Sequence, residues 1–446
     1  MIPEKKKCVN VIGIGHVDHG KSLTSAVFSN VASVLNDDNH AYQIKDLDKS
    51  PDELKRGITI NSATISLETK HRIYAFTDCP GHRDYIANML RGADNADVGI
   101  LVVSLFDGAM PQTIEHLTLA KNCQLKKLYV YYNKMDLFDL QDANDKEMAE
   151  WNKDDVKDLI QASGFSLDAV KFFQGSSLRA MQQILALKKT QNFEELKSKI
   201  RKNFEDRNDD FSFLSDEYCY IKPILSMLIA LENEKIERDH KDKDFYMPIS
   251  TVHSIKGKGT VVTGKVLLGT CNMDQNLEIV GCTKVVHGPV RKSTSVKGIQ
   301  IFFKDYESVT VSDNCGICLR GVERDEISSG QVLVNRAKYK LYHEFECTVS
   351  SIKSDAVDAE NESSSIGRRK PFGKQDKFQP QFYVACANIT CVLKMPDGVE
   401  MIMPGEIVNG VVVKLTEFYP LLHGMKFSLR EGKTTIANCV ITKLIK

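Results

Sequence analysis

Gly15, His16, Val17, Asp18, His19, Gly20, Lys21 and Ser22 follow the spacing G-x-x-x-x-G-K-[ST]. Glycines in such a loop let backbone N–H groups turn inward around phosphate oxygens, and a following helix N-terminus adds a favourable dipole. Lys21 then supplies a point charge to the β- and γ-phosphates, and Ser22 a hydroxyl ligand for Mg2+. Further along, Asp78 is followed by Gly81 and His82. An acid at a strand end can hold Mg2+ through water, and a glycine beside it leaves room to sense the γ-phosphate. Asn133, Lys134 and Asp136 form a third group. A carboxylate there accepts from both guanine N1–H and the exocyclic amine, a donor pair that adenine lacks, so ATP would leave it buried and unpaired. Ser176, Ser177 and Leu178, after Gly175, supply a loop whose backbone N–H meets guanine O6. A glycine loop before a helix can arise by chance, and the last string is weak alone. All four in this order predict a GTP/GDP site with Mg2+.

These loops need a rigid frame. Residues 9–14, 73–76, 98–105 and 128–132 read as apolar strands, and 83–90, 111–121 and 147–162 as helices. Strands alternating with helices predict an α/β layer with a parallel sheet. From about 183 to 245 the chain is polar and charge-rich, apart from one apolar helical piece near 221–231, and 232–244 reads as a solvated linker. Beyond it, short β-branched segments recur between glycines such as Gly257, Gly264 and Gly281, which predicts all-β barrels. The expected division is a GTP-binding domain over 1–205 with an insertion near 183–217, a linker over 206–246, and β-barrel domains over 247–338 and 339–446. Residues 354–370 are poor in apolar side chains and read as a disordered loop.

The 59 basic and 59 acidic residues cancel, so RNA binding would need a local patch. No apolar run reaches the length of a membrane span, and the start has neither an apolar core nor an Arg/Ser-rich leader. The expectation is a soluble intracellular chain, in the mitochondrial matrix or the cytoplasm. The twelve cysteines, many in apolar runs like Cys315 and Cys318, read as buried reduced thiols.

The phosphate loop, the run Arg56, Gly57, Ile58, Thr59, Ile60, Asn61, and the segment from Asp78 to His82 resemble the translational GTPases, elongation factor Tu in particular. Residues 257–264, 319–321 and 329–333 resemble its second domain, and 379–383, 398–405 and 427–432 its third. The resemblance implies a GTPase domain followed by two β-barrels. It implies that Thr59 reaches Mg2+, together with Ser22 and Asp78, when a γ-phosphate is present, and that His82 positions the attacking water behind an apolar gate of Val17 and Ile58. It implies aminoacyl-tRNA contacts at Asn88 and Asn314, and as partners aminoacyl-tRNA, the ribosome and an exchange factor of the Ts type, for a chain acting as a monomer. Several positions depart from the family pattern. Ala87, Thr64, Ser329 and Gln379 replace basic residues or histidine, Ser250 and Thr251 replace an acidic pair, and His253 replaces an aromatic. Each lost cation removes a phosphate contact and flattens the salt dependence of tRNA binding. The alternative reading is a divergent paralogue, either a GTP-regulated scaffold or chaperone-like factor, or a specialised tRNA or rescue factor.

Overall fold

The computed structural model describes residues 6–43, 46, 63–78, 96–122, 125, 127–139, 141–236, 242–281, 290–302, 304–352, 371–373, 378–432 and 434–446. The chain divides into two compact units at residues 237/238.

The first unit is built on a six-stranded sheet of β1 (Lys7–Ile14), β2 (Ala63–Glu68), β3 (Arg72–Asp78), β4 (Val98–Ser104), β5 (Lys127–Asn133) and β6 (Val170–Gln174). The strand order is β2-β3-β1-β4-β5-β6. Only β2 runs antiparallel to its neighbour. The central strands are apolar along their length because helices cover both faces. Side-chain alternation divides them between two cores. Val9, Val11, Ile100, Val102, Tyr129 and Tyr131 face one layer, and Ile12, Ile14, Leu101, Val103, Leu128 and Val130 the other. The first core is covered by α1 (Lys21–Leu35), α4 (Ser177–Leu187), α5 (Phe193–Asp206) and α6 (Lys222–Asn233), and the second by α2 (Pro111–Asn122) and α3 (Ala143–Ala162). β1 has β3 on one side and β4 on the other, so the chain reverses its direction of winding there. The carboxyl ends of these strands open a crevice where ligands of doubly wound sheets bind.

Much of the polar, charge-rich stretch that begins near 183 is helical and packs on the first core, as does the apolar piece near 221–231. Helix α5 buries Leu196, Ile200 and Phe204, spaced four apart on one face, and α6 buries Ile224, Leu225, Met227, Leu228, Ile229 and Leu231. The lysines and glutamates on the outer face of α5 lowered the average hydropathy and concealed its apolar stripe. The end of α6 is also part of the core. Glu232 accepts from Thr69 Oγ1, and Glu234 accepts from the Tyr129 hydroxyl at 2.7 Å and pairs with Lys171 at 2.8 Å. Burial pushes the Glu234 carboxyl up, but Lys171 and Tyr129 bring it below the ordinary glutamate value.

Among the described residues, the second unit is β apart from one short helical turn at Arg324–Glu326. An eight-stranded antiparallel sheet runs from Tyr246–Pro248 to Thr251–Ile255 at its two ends. Those end strands are consecutive in the chain and joined by Ile249 and Ser250, so the sheet curls round on itself; the Ser250 N–H donates to Thr263 O at 2.8 Å. Strands Tyr342–Ser351, Ile407–Tyr419, Ala387–Lys394, Gln381–Val384, Lys426–Glu431 and Thr434–Leu444 close a six-stranded barrel. Its interior is filled by Phe345, Phe382 and Phe427, with ring centroids 4.7–5.7 Å apart. The nine described cysteines are free thiols. Cys315 and Cys318 stand at a C-x-x-C spacing, but on a strand an odd offset sends the two side chains to opposite faces, so they do not form a metal pair. Among the described residues, no helix is long and apolar enough to cross a membrane.

Candidate functional site

The loop between β1 and α1 fits only because of its glycines. Gly15 has φ +137°, and a Cβ there would lie 2.2 Å from Val102 O; Gly20 has φ +92°, and its Cβ would lie 2.3 Å from Asn133 Nδ2. Neither position accepts a side chain. Asp18 is also left-handed, with φ +61°. Gly20 caps α1 without a side-chain hydrogen bond, and the first turn has no acidic residue, so the helix dipole there favours an anion. Lys21 Nζ donates to His16 O at 2.7 Å, placing the ammonium across the loop.

The loop is anchored from the second core layer. The Gly15 N–H donates to His116 Nδ1 at 2.9 Å, and the Val17 N–H to Gln112 Oε1 at 3.2 Å. Burial pushes the His116 pKa down to about 3, so its ring is neutral and can accept at Nδ1. His19 is lowered to about 3 by burial, then by His16 and Lys21. The two rings fix a pH dependence. Unfolded histidine takes up a proton near pH 6.5, whereas these rings resist it until about pH 3, so stability falls as pH drops through that window. Protection of β1 and β4 amides in hydrogen exchange, corrected for intrinsic rate, should decrease by up to about tenfold per pH unit for each ring. His116→Asn retains an acceptor at the same place and should flatten that slope. An unchanged slope would contradict the assignment.

Asp78 closes β3 and is buried. It is in register with Gly13, where an added Cβ would lie 3.8 Å from Asp78 Oδ1, so the carboxylate stands beside the strand that leads into the loop. With the Ser22 hydroxyl in the first turn of α1, the donors are hard oxygens, the set that suits magnesium alongside phosphate oxygens. The residues therefore fit that ion. Ile58, Thr59, Gly81, His82, Ala87 and Asn88 lie outside the described residues.

Asn133 ends β5, and its amide joins three loops. Nδ2 donates to His19 O at 2.8 Å, and Oδ1 accepts the Ser177 N–H at 2.8 Å. Lys134 turns the chain with φ +63° and pairs with Asp107 at 3.0 Å. The Met135 N–H donates to Gly175 O at 3.0 Å, holding the Asp136 turn against the loop before α4. Ser176 caps α4 by accepting the Arg179 N–H at 3.2 Å, and Leu178 is exposed at the start of that helix. Asp136 stands 3.7 Å from Arg179 Nε. Within the loop 176–178 the Ser177 N–H is directed at Asn133, so Ser177 acts in holding the loop. His116, Gln112, Thr24 and Arg179 are neighbours of the site that motif spacing missed. His116 lies 101 residues from Gly15, and no local signal links the two.

Residues 6–259 match the family model described as Elongation factor Tu GTP binding domain, 259–334 match Elongation factor Tu domain 2, and 357–445 match Elongation factor Tu C-terminal domain. The chain belongs to the elongation factor Tu family. It is a GTPase of the translation elongation type, with the family's α/β domain followed by its β domains in order. In the second unit, Asn314 opens strand Asn314–Arg320 opposite Lys265. Thr251 Oγ1 lies 2.7 Å from His253 Nε2, and Ser329 Oγ donates to Ser250 O at 2.7 Å. Thr64 pairs with Thr77 Oγ1 at 3.0 Å. Each of these hydroxyls is held by a hydrogen bond within its own unit.

Proposed function

We propose that this family member is a Tu-type elongation factor: loaded with GTP it binds aminoacyl-tRNA, delivers it to the ribosomal A site, hydrolyses GTP and leaves with GDP. The reading is supported by one observation above the rest. A single amide, Asn133, braces the phosphate loop against the base loop, beside a carboxylate suited to guanine, in a chain with all three family domains. In this reading His16, Val17, Asp18, His19, Gly20 and Gly81 line the phosphates, Lys21 places its charge on the β- and γ-oxygens, and Asn133, Lys134, Asp136 and the 176–178 loop hold guanine. Magnesium, held by Ser22, Asp78 and Thr59, would neutralise charge developing on the phosphate oxygens. His82 orients the attacking water behind Val17 and Ile58, which exclude bulk solvent until the ribosome is engaged. Asn88 and Asn314 contact aminoacyl-tRNA, and a Ts-type factor restores GTP.

Because His82 acts on water and not on the nucleotide, His82→Ala should leave GTP affinity within about twofold while lowering ribosome-stimulated hydrolysis at least ~100-fold. Normal stimulated turnover would reject the role. Delivery itself is tested by GTP-dependent protection of the aminoacyl ester from hydrolysis; equal decay with GTP and GDP would reject it. The hydroxyls of Ser250, Thr251 and Ser329, standing where charged residues are expected, favour a second reading, a GTP-regulated scaffold without tRNA, and equal decay is the outcome it expects.

A further inference from the structure

Ser177, in the base loop, is tied to two consecutive carbonyls of the phosphate loop by separate routes. The backbone route runs through Asn133 to His19 O, with both steps at 2.8 Å. The side-chain route runs through Thr24. Ser177 Oγ lies 2.7 Å from Thr24 Oγ1, which lies 2.7 Å from Gly20 O. Thr24 has one hydroxyl proton and a carbonyl only accepts, so that proton goes to Gly20 O. Ser177 must therefore donate to Thr24. The relay is directional, from Ser177 to Thr24 to Gly20, and it is dry: Ser177 is 0% exposed and Thr24 2%.

Peptide planarity gives this arrangement a consequence for the anion site. The His19 carbonyl shares a rigid plane with the Gly20 N–H, and the Gly20 carbonyl with the Lys21 N–H, each pair pointing in opposite directions. Holding the two carbonyls toward the base loop fixes the direction of the two amides that follow them. The motif explains Asn133; nothing in it calls for hydroxyls at 24 and 177. We propose that Ser177 and Thr24 are positioning residues whose hydroxyl relay couples the base loop to the phosphate-loop amides, and that this coupling sets how long guanine nucleotide stays bound. The inference rests on the nucleotide-site assignment above.

The test uses the full chain loaded with a fluorescent GDP and chased with unlabelled GDP. Ser177→Ala and Thr24→Val each remove one link while nearly conserving volume. Each should speed dissociation about five- to tenfold, the scale of one buried hydrogen bond lost with its partner left unsatisfied. Because the residues act through one relay, the double variant should release GDP no more than about twofold faster than either single one. Thr24→Ser, which keeps the hydroxyl, should return the rate to within twofold of the parent. The relay is overturned if both single variants release GDP at the parent rate, if the double variant multiplies their effects, or if the variants melt earlier with release unchanged. A parent chain that does not retain the GDP probe over an ADP probe overturns the site assignment and the relay with it. A parent that retains it with unaffected variants overturns the relay alone.

Discussion

Asp136→Asn should lower GTP affinity about a thousandfold or more and make xanthosine triphosphate the preferred ligand. In the proposed site the carboxylate would accept from two guanine donors, N1–H and the exocyclic amine. An amide turns one acceptor into a donor and leaves one guanine N–H facing a donor in a dry pocket. Sites built to pair a substrate's polar groups discriminate by about 10⁴–10⁵ when that pairing fails. Xanthine carries a carbonyl where guanine carries the amine, so the new donor finds an acceptor. Arg179 tempers the magnitude. Its guanidinium stands 3.7 Å from the Asp136 carboxylate and is half exposed, so part of the native charge is already compensated. Competition of GTP and xanthosine triphosphate for the same fluorescent probe reads the switch directly. GTP affinity that is unchanged in the variant would refute the base-recognition role.

Lys21→Ala should be larger still in absolute loss, removing measurable binding of GTP and GDP at micromolar protein. The side chain is buried, with its ammonium held at the His16 carbonyl inside the loop. A cation in that setting is screened little by solvent, and its hydrogen bonds to phosphate oxygens are charge-assisted. A loss of at least about 10³-fold follows for a ligand with three or four negative charges. The methyl group left behind creates no clash, and α1 retains its buried stripe of Ala26, Val27, Phe28, Val31 and Ala32. The variant should therefore fold, with far-ultraviolet circular dichroism like that of the parent. GTP binding within tenfold of the parent would contradict the placement.

The parts of this molecule that were legible in the sequence are those in which local chemistry dictates the residue. Gly15 and Gly20 are forced by left-handed backbone and by a carbonyl and an amide that a Cβ would strike, so a spacing of glycines locates the loop. The central strands are buried on both faces and read as continuous apolar runs. Helix α5 was harder, because a charged outer face dilutes an apolar stripe, and only a count at every fourth residue finds Leu196, Ile200 and Phe204. The supports of the site were not legible at all. His116 reaches Gly15 across 101 residues, and Ser177 reaches Thr24 across 153. Such pairs are set by how α2 and α4 pack on the sheet, and one chain's local pattern holds no record of that packing. The hydroxyl at Ser177 reads in sequence as one more loop residue, whereas in the fold it is a buried donor.

At the centre of the proposed function is a pocket that would grip a triphosphate with amides and test its base with one carboxylate. Equilibrium binding of the unmodified chain to GTP, GDP, ATP and ADP in the presence of Mg2+ measures that claim most directly. Guanine nucleotides should bind at least about a thousandfold tighter than adenine nucleotides. Comparable affinity for the two bases in folded protein would contradict the account at its centre.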